Sequence, residues 1–189
     1  SYCPYADQCL GSLPPELMAK RNDLFKDRVA LAVRKYFGDD RRRIRHAEEV
    51  ARYAEEIGKK EQGNPAVVMA AAYLHDIGIR EAERKFDSAS PKHQHAEGPP
   101  VARRILSDLR ADSALIDEVC DIIGHHHAPR EEETLNFKIL YDADLIVNLD
   151  EQYRHKAPSG DKLEQVLNRS FLTETGRRTA KKALMKLVR

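Results

Sequence analysis

Hydrophobic positions recur along most of the chain at intervals of three and four, the spacing of one face of an α-helix, and nowhere alternate with the period of two that marks a strand. Residues 1–14, which hold Cys3 and Cys9, are expected to form an irregular leader. Pro15 suits a first helical position and Gly38 a residue just past a helix end, which predicts a first helix over 15–37. Asp39 or Asp40 opens a second, RRRIRHAEEVARYAEEIGKK, which runs to Gly63. Asn64 caps a third with Pro65 at its first position, and this stretch, PAVVMAAAYLH, is apolar on nearly every side, as a helix at the centre of a fold must be. It ends at Asp76, Ile77 and Gly78. A short helix over 79–85 and a charged surface loop reaching Pro100 follow, then helices near 98–109, 113–126, 132–149, 160–170 and 174–188. The expectation is one all-α domain over 15–189, a compact helical bundle of about nine helices without internal repeats.

Composition narrows the classes without changing this picture. At 41% hydrophobic and 33% charged residues the 189-residue chain is globular, and no apolar run nears the roughly 18 residues of a membrane span. The first twenty residues carry no continuous apolar stretch of the secretory kind, so a cytoplasmic location with no membrane partner is expected. Thirty-two basic and thirty-one acidic side chains leave a net charge of +1, which gives no electrostatic reason to expect nucleic acid as a partner. Cys3, Cys9 and Cys120 form no CxxC pair and suit a reducing compartment; Cys3 and Cys9 could join a metal site with partners the sequence does not identify. Assembly into a homo-oligomer stays open.

The candidate chemistry lies on apolar faces. His46 shares its helical face with Val50, Tyr53 and Ile57, while Glu48, Glu49, Arg52 and Glu55 lie opposite, so His46 points inward. His75 closes the apolar third helix on the side of Val68, Ala71 and Ala72, and Asp76 follows it directly. A carboxylate at a buried helix C-terminus meets the wrong end of the dipole and costs several kcal/mol unless a cation is near; a divalent metal would supply that charge. His125, His126 and His127 follow an apolar stretch, and two of them with His93 or His95 could serve a second metal. Asp142 and Asp144 lie on the apolar helix ILYDADLIVNLD about 200° apart, so one is expected inside; helical phase favours Asp144 only slightly, because that helix is apolar almost all round.

His46, then His75-Asp76 within LHDIG, then Asp144 within an apolar DAD helix: in this order the residues resemble the HD superfamily of metal-dependent phosphohydrolases over about residues 24–150. The resemblance implies that His46, His75, Asp76 and Asp144 are metal ligands, and it sharpens the choice to Asp144, which follows the small residue Ala143. Members with two or three metals, such as HD-GYP phosphodiesterases and dinucleoside polyphosphate hydrolases, add a histidine after the doublet and a later histidine or histidine pair. His95, His125 and His126 match that order, with His93 and His127 as the neighbours that could displace them. The chain departs from the HD-GYP pattern in two places: Ile79 stands where those enzymes carry lysine and some HD nucleotidases glutamate, and no GYP follows the histidines.

The resemblance thus implies hydrolysis of a nucleotide or other small phosphoester by a metal-activated water, with Asp76 orienting the nucleophile. Nitrogen and carboxylate donors suit Mn²⁺, Fe²⁺, Co²⁺, Ni²⁺ or Zn²⁺, as one ion or two. Arg80, Lys92 and Arg130 lie near the proposed ligands in sequence and are the candidate phosphate contacts, while RRRIR at 41–45 reads as a charged helix face with Arg45 beside the site. Two other functions fit the same cluster: a di-iron oxygenase of the HD type, and a non-catalytic metal- or nucleotide-binding module, to which Ile79 lends weight.

Overall fold

A computed structural model describes residues 15–188; the leader over 1–14, with Cys3 and Cys9, lies outside the described residues. These residues are helical throughout, with no strand among them: α1 (Pro15–Phe37), α2 (Arg41–Glu61), α3 (Pro65–Leu74), α4 (Ile79–Phe86), α5 (Pro91–Asp108), α6 (Ser113–Ile123), α7 (Leu135–His155), α8 (Gly160–Ser170), α9 (Glu174–Leu184) and a closing 3-10 turn, Met185–Leu187. No helix is long and apolar enough to cross a membrane among the described residues.

Local chemistry sets the ends. Gly38 sits at φ +60°, a left-handed conformation in which a side chain would be strained, and stops α1. Asp40, Asn64, Asp112, Thr134, Ser159 and Thr173 each cap a helix with a side-chain oxygen, supplying acceptors to amides that the helix itself leaves unpaired. The boundaries of α2 and α3 fall close to those expected. The central position of α3 follows from its composition: Val67, Val68, Ala70, Ala71, Ala72 and Leu74 are all buried. Around it pack α2, α7, α6 and the inner face of α1, where Val29, Val33 and Phe37 join the same core.

One expectation fails. The stretch read as a surface loop up to Pro100 is mostly helix, because α5 begins at Pro91 and runs on through Pro99 and Pro100. Pro91 occupies a tolerated first-turn position, and Ser90 precedes it with extended backbone. Tertiary packing carries the helix across the two inner prolines. A Cβ on Gly78 would lie 2.4 Å from the Gln94 carbonyl oxygen and 2.6 Å from the Gly98 nitrogen, so the backbone after the His-Asp doublet is pressed directly on α5. That contact sets the position of His95, one turn before Pro99. The helix expected over 113–126 also ends early, at Ile123, and the three histidines follow in turns.

Candidate metal centre

His46 comes from the second turn of α2, His75 from the C-terminal end of α3, Asp76 from the turn beyond it and Asp144 from the middle of α7. Their polar atoms converge. His46 Nε2 lies 3.2 Å from both His75 Nε2 and Asp144 Oδ1, and 3.8 Å from Asp76 Oδ2. His75 Nε2 lies 3.5 Å from Asp76 Oδ2 and 3.6 Å from Asp144 Oδ1. Donors about 2.1 Å from a common ion stand roughly 3.0 Å apart in an octahedron and 3.4 Å apart in a tetrahedron, so these separations suit one divalent ion.

Two features prepare the histidines for that role. His75 Nδ1 donates to the Ala72 carbonyl at 2.8 Å, which turns the unprotonated Nε2 towards the cluster. Glu151 Oε1 lies 3.6 Å from His46 Nδ1, a carboxylate on the far side of that ring. The carboxylates are ready as well. Burial pushes Asp76 up, but the neighbouring His75, His126 and His46 outweigh it and hold the carboxyl well below the usual range. Asp144 likewise sits below its ordinary value: burial opposes ionisation, and the hydrogen bond to His46 and the His75 ring overcome it. Asn148 Nδ2 donates to the same Asp144 oxygen at 3.0 Å.

A second group adjoins the first. His95 of α5 with His126 and His127 of the following turn place one nitrogen each within 4.8 Å of one another, and His95 Nε2 is 3.2 Å from His127 Nδ1. His126 is 2% exposed, its Nδ1 donates to the Ile123 carbonyl at 2.9 Å, and its Nε2 is buried without a hydrogen-bond partner. A buried nitrogen lone pair is seldom left orphaned, and a cation is the natural partner. Asp76 joins the two groups, with Oδ2 towards His46 and His75 and Oδ1 3.8 Å from His126 Nε2. The donor set and the orphaned nitrogen both fit a metal centre of one ion or two.

The remaining expected residues fall elsewhere. His125 is turned away: its Nδ1 meets the Asp121 carbonyl at 2.6 Å, its Nε2 meets Glu133 Oε1 at 2.9 Å, and its ring stacks on Phe137. Both ring nitrogens are engaged by these oxygens, away from the cluster, and His127 stands in the group where His125 was expected. His93 stacks on Phe86, which leaves His95 as the α5 member. Asp142 is wholly buried but accepts hydrogen bonds from the Leu172 and Thr173 amides and the Thr173 hydroxyl, tying the start of α9 to α7. None of the three basic residues expected at the phosphate lines the pocket above these donors. Arg80 donates to the Tyr36 carbonyl, Arg130 pairs with Asp121, and Lys92 is exposed at the start of α5.

Over the metal centre opens a polar pocket of about 530 Å³ whose cations are Arg42 and Arg43. Arg43 is held by Asp40 at 2.9 Å and Glu83 at 2.6 Å, whereas Arg42 is 85% exposed and 3.9 Å from Glu151. Helical phase alone could have found this pair, since they precede His46 by four and three residues and share its face. Ile79 lines the same pocket and brings no titratable group to it.

The HD domain family model matches residues 43–149, more than half of the chain. A crystal structure described as a predicted HD superfamily hydrolase, from an uncultured Thermotogales bacterium, is 27% identical, covers 84% of each chain and superposes with a TM-score of 0.62. No curated protein matches the chain.

Proposed function

The chain belongs to the HD-domain family, and we propose that it is a metal-dependent phosphohydrolase acting on a nucleotide or another small phosphoester. One observation carries this reading: Asp76 stands between two groups of metal-type donors, one carboxylate oxygen towards each, beneath a polar pocket walled by two arginines. His46, His75, Asp76 and Asp144 would hold the first ion, and His95, His126 and His127 with Asp76 a second. Bound there, a divalent transition metal supplies Lewis acidity, acidifying a water towards neutral pH and polarising a phosphoryl oxygen.

The chain's own part follows from its geometry. Asp76, kept ionised by its histidine neighbours, accepts a hydrogen bond from the attacking water and aims its lone pair at phosphorus. Arg42, at the pocket mouth, binds the phosphate oxygens, and its loose link to Glu151 leaves it able to swing onto them. Asp40 and Glu83 already engage Arg43, which therefore shapes the wall and contributes less to binding. The arginine wall also favours phosphate chemistry over the iron-dependent oxygenase that the same donors would serve.

The test is phosphate release across a panel of phosphoesters with Mn²⁺, Fe²⁺, Co²⁺, Ni²⁺ and Zn²⁺, alongside metal analysis of the protein. Turnover is expected with at least one metal and is expected to vanish in His75→Ala together with bound metal. Retained metal without phosphate release from any ester would reject the reading, and oxygen consumption by a reduced iron form would replace it. Within an active enzyme, Arg42→Ala is expected to raise KM about tenfold with a smaller effect on kcat, as loss of one charge-assisted contact implies.

A further inference from the structure

The pocket over the candidate metal centre is poor in free cations. Apart from the aspartates of the metal groups, its wall carries Asp40, Glu83 and Glu151 against Arg42 and Arg43, with no lysine among the described residues that line it. Three carboxylates against two guanidinium groups leave that wall one net negative charge at neutral pH. Arg43 is engaged within it, 2.9 Å from Asp40 and 2.6 Å from Glu83. The start of α2 is closed to anions as well. Asp40 Oδ1 accepts from the Arg43 amide at 3.1 Å, so the helix end that could cradle a phosphate already holds a carboxylate.

One phosphate finds partners in such a pocket and a second does not. The metal groups and the loosely held Arg42 serve a single phosphoryl group. Each further phosphate of a polyphosphate chain would bring at least one more negative charge to a wall whose other groups are Glu83, Glu151 and an arginine already paired. A polyphosphate chain also offers the two glutamates only acceptors, whereas the hydroxyls of a sugar or nucleoside offer donors. Resting on the phosphohydrolase reading, we propose that the pocket selects phosphoesters that carry one phosphate and an uncharged, hydroxyl-bearing organic part. Glu83 and Glu151 are its specificity residues: they turn away di- and triphosphates, and Glu83 does so twice over, by its own charge and by holding Arg43.

Calorimetric titration of the full chain, loaded with the metal it retains, against inorganic phosphate and against tripolyphosphate tests this at a fixed free-metal concentration. A divalent metal in water prefers the more highly charged tripolyphosphate, so a preference for phosphate belongs to the protein. The wild type is expected to bind phosphate about tenfold more tightly than tripolyphosphate, as like charges set against each other imply. Glu83→Gln removes a charge and releases Arg43, and is expected to shift that ratio about tenfold towards tripolyphosphate. Glu151→Gln is expected to shift it in the same direction. Should Glu83→Gln fail to fold, the wild type read from about 0.05 to 0.5 M salt takes its place, since screening of the exposed glutamates is expected to narrow the preference. A wild type that prefers tripolyphosphate, a preference unmoved by Glu83→Gln or by salt, or binding of neither anion would overturn the proposal. Hydrolysis is read apart from it: no phosphate release from any ester rejects the phosphohydrolase reading, while the titration still ranks the two anions.

Discussion

Asp142 and Asp144 flank one alanine on α7 and meet unlike surroundings. Asp144 turns to His46 and His75, whereas Asp142 is enclosed by the Leu172 and Thr173 amides and the Thr173 hydroxyl. Burial pushes Asp142 up to about 6 while those three donors pull it down, so the carboxyl is held by what it anchors. Asp142→Ala strands three donors, two of them buried, and is expected to cost about 3 kcal/mol in urea unfolding, with metal content per folded molecule unchanged. Asp144→Ala is expected to cost less in the metal-free protein and to abolish metal binding at the first group. The histidines divide in the same manner. His127→Ala should lower the bound-metal count by mass spectrometry of the native protein, whereas His125→Gln should keep it, because His125 serves Asp121, Glu133 and Phe137.

At the scale of elements, the contact between the turn after α3 and the middle of α5 governs the site. Gly78 lies against the backbone of Gln94 and Gly98, so a methyl group there must push α5 outward, carrying His95 with it. Gly78→Ala is therefore expected to destabilise the protein by about 2 kcal/mol or more and to weaken the second metal group before the first. A chemical-denaturation series read against metal stoichiometry separates the two effects. This contact also explains why the helical stretch over 91–97 was illegible in the sequence. Pro99 and Pro100 suit the first turn of a helix, so local rules start one there, and only packing from a segment some twenty residues earlier in the chain supports the turns before them.

For the whole molecule, the candidate metal centre is a junction. It draws residues from α2, α3, α5, α7 and the turns after α3 and α6 to one point, and in doing so brings the two ionised carboxylates Asp76 and Asp144 together in the interior. A bound cation would relieve that crowding, so metal is expected to add to folding stability by mass action, about 2.7 kcal/mol at a hundredfold excess over Kd. Chelation is expected to lower the melting temperature of the wild type by several degrees and that of Asp144→Ala by less, as differential scanning calorimetry would record. Equal losses in both would show that the effect lies outside the centre.

The all-α class, the central α3, most helix ends and the inward histidines His46 and His75 were legible in the chain alone. Each depends on neighbours within a turn or two: apolar spacing, a capping side chain, a proline at a first turn. Helical phase left Asp144 and Asp142 nearly level and the family resemblance favoured Asp144, which the fold turns towards His46 and His75; the place of His127 rather than His125, and of Arg42 and Arg43 rather than Arg80, Lys92 and Arg130, came only from tertiary structure. In an apolar helix every face is buried, and in three successive histidines any member can be brought inward by the turn. Which donor meets an ion and which meets a backbone amide then depends on the helix packed against it, and that neighbour is distant in sequence.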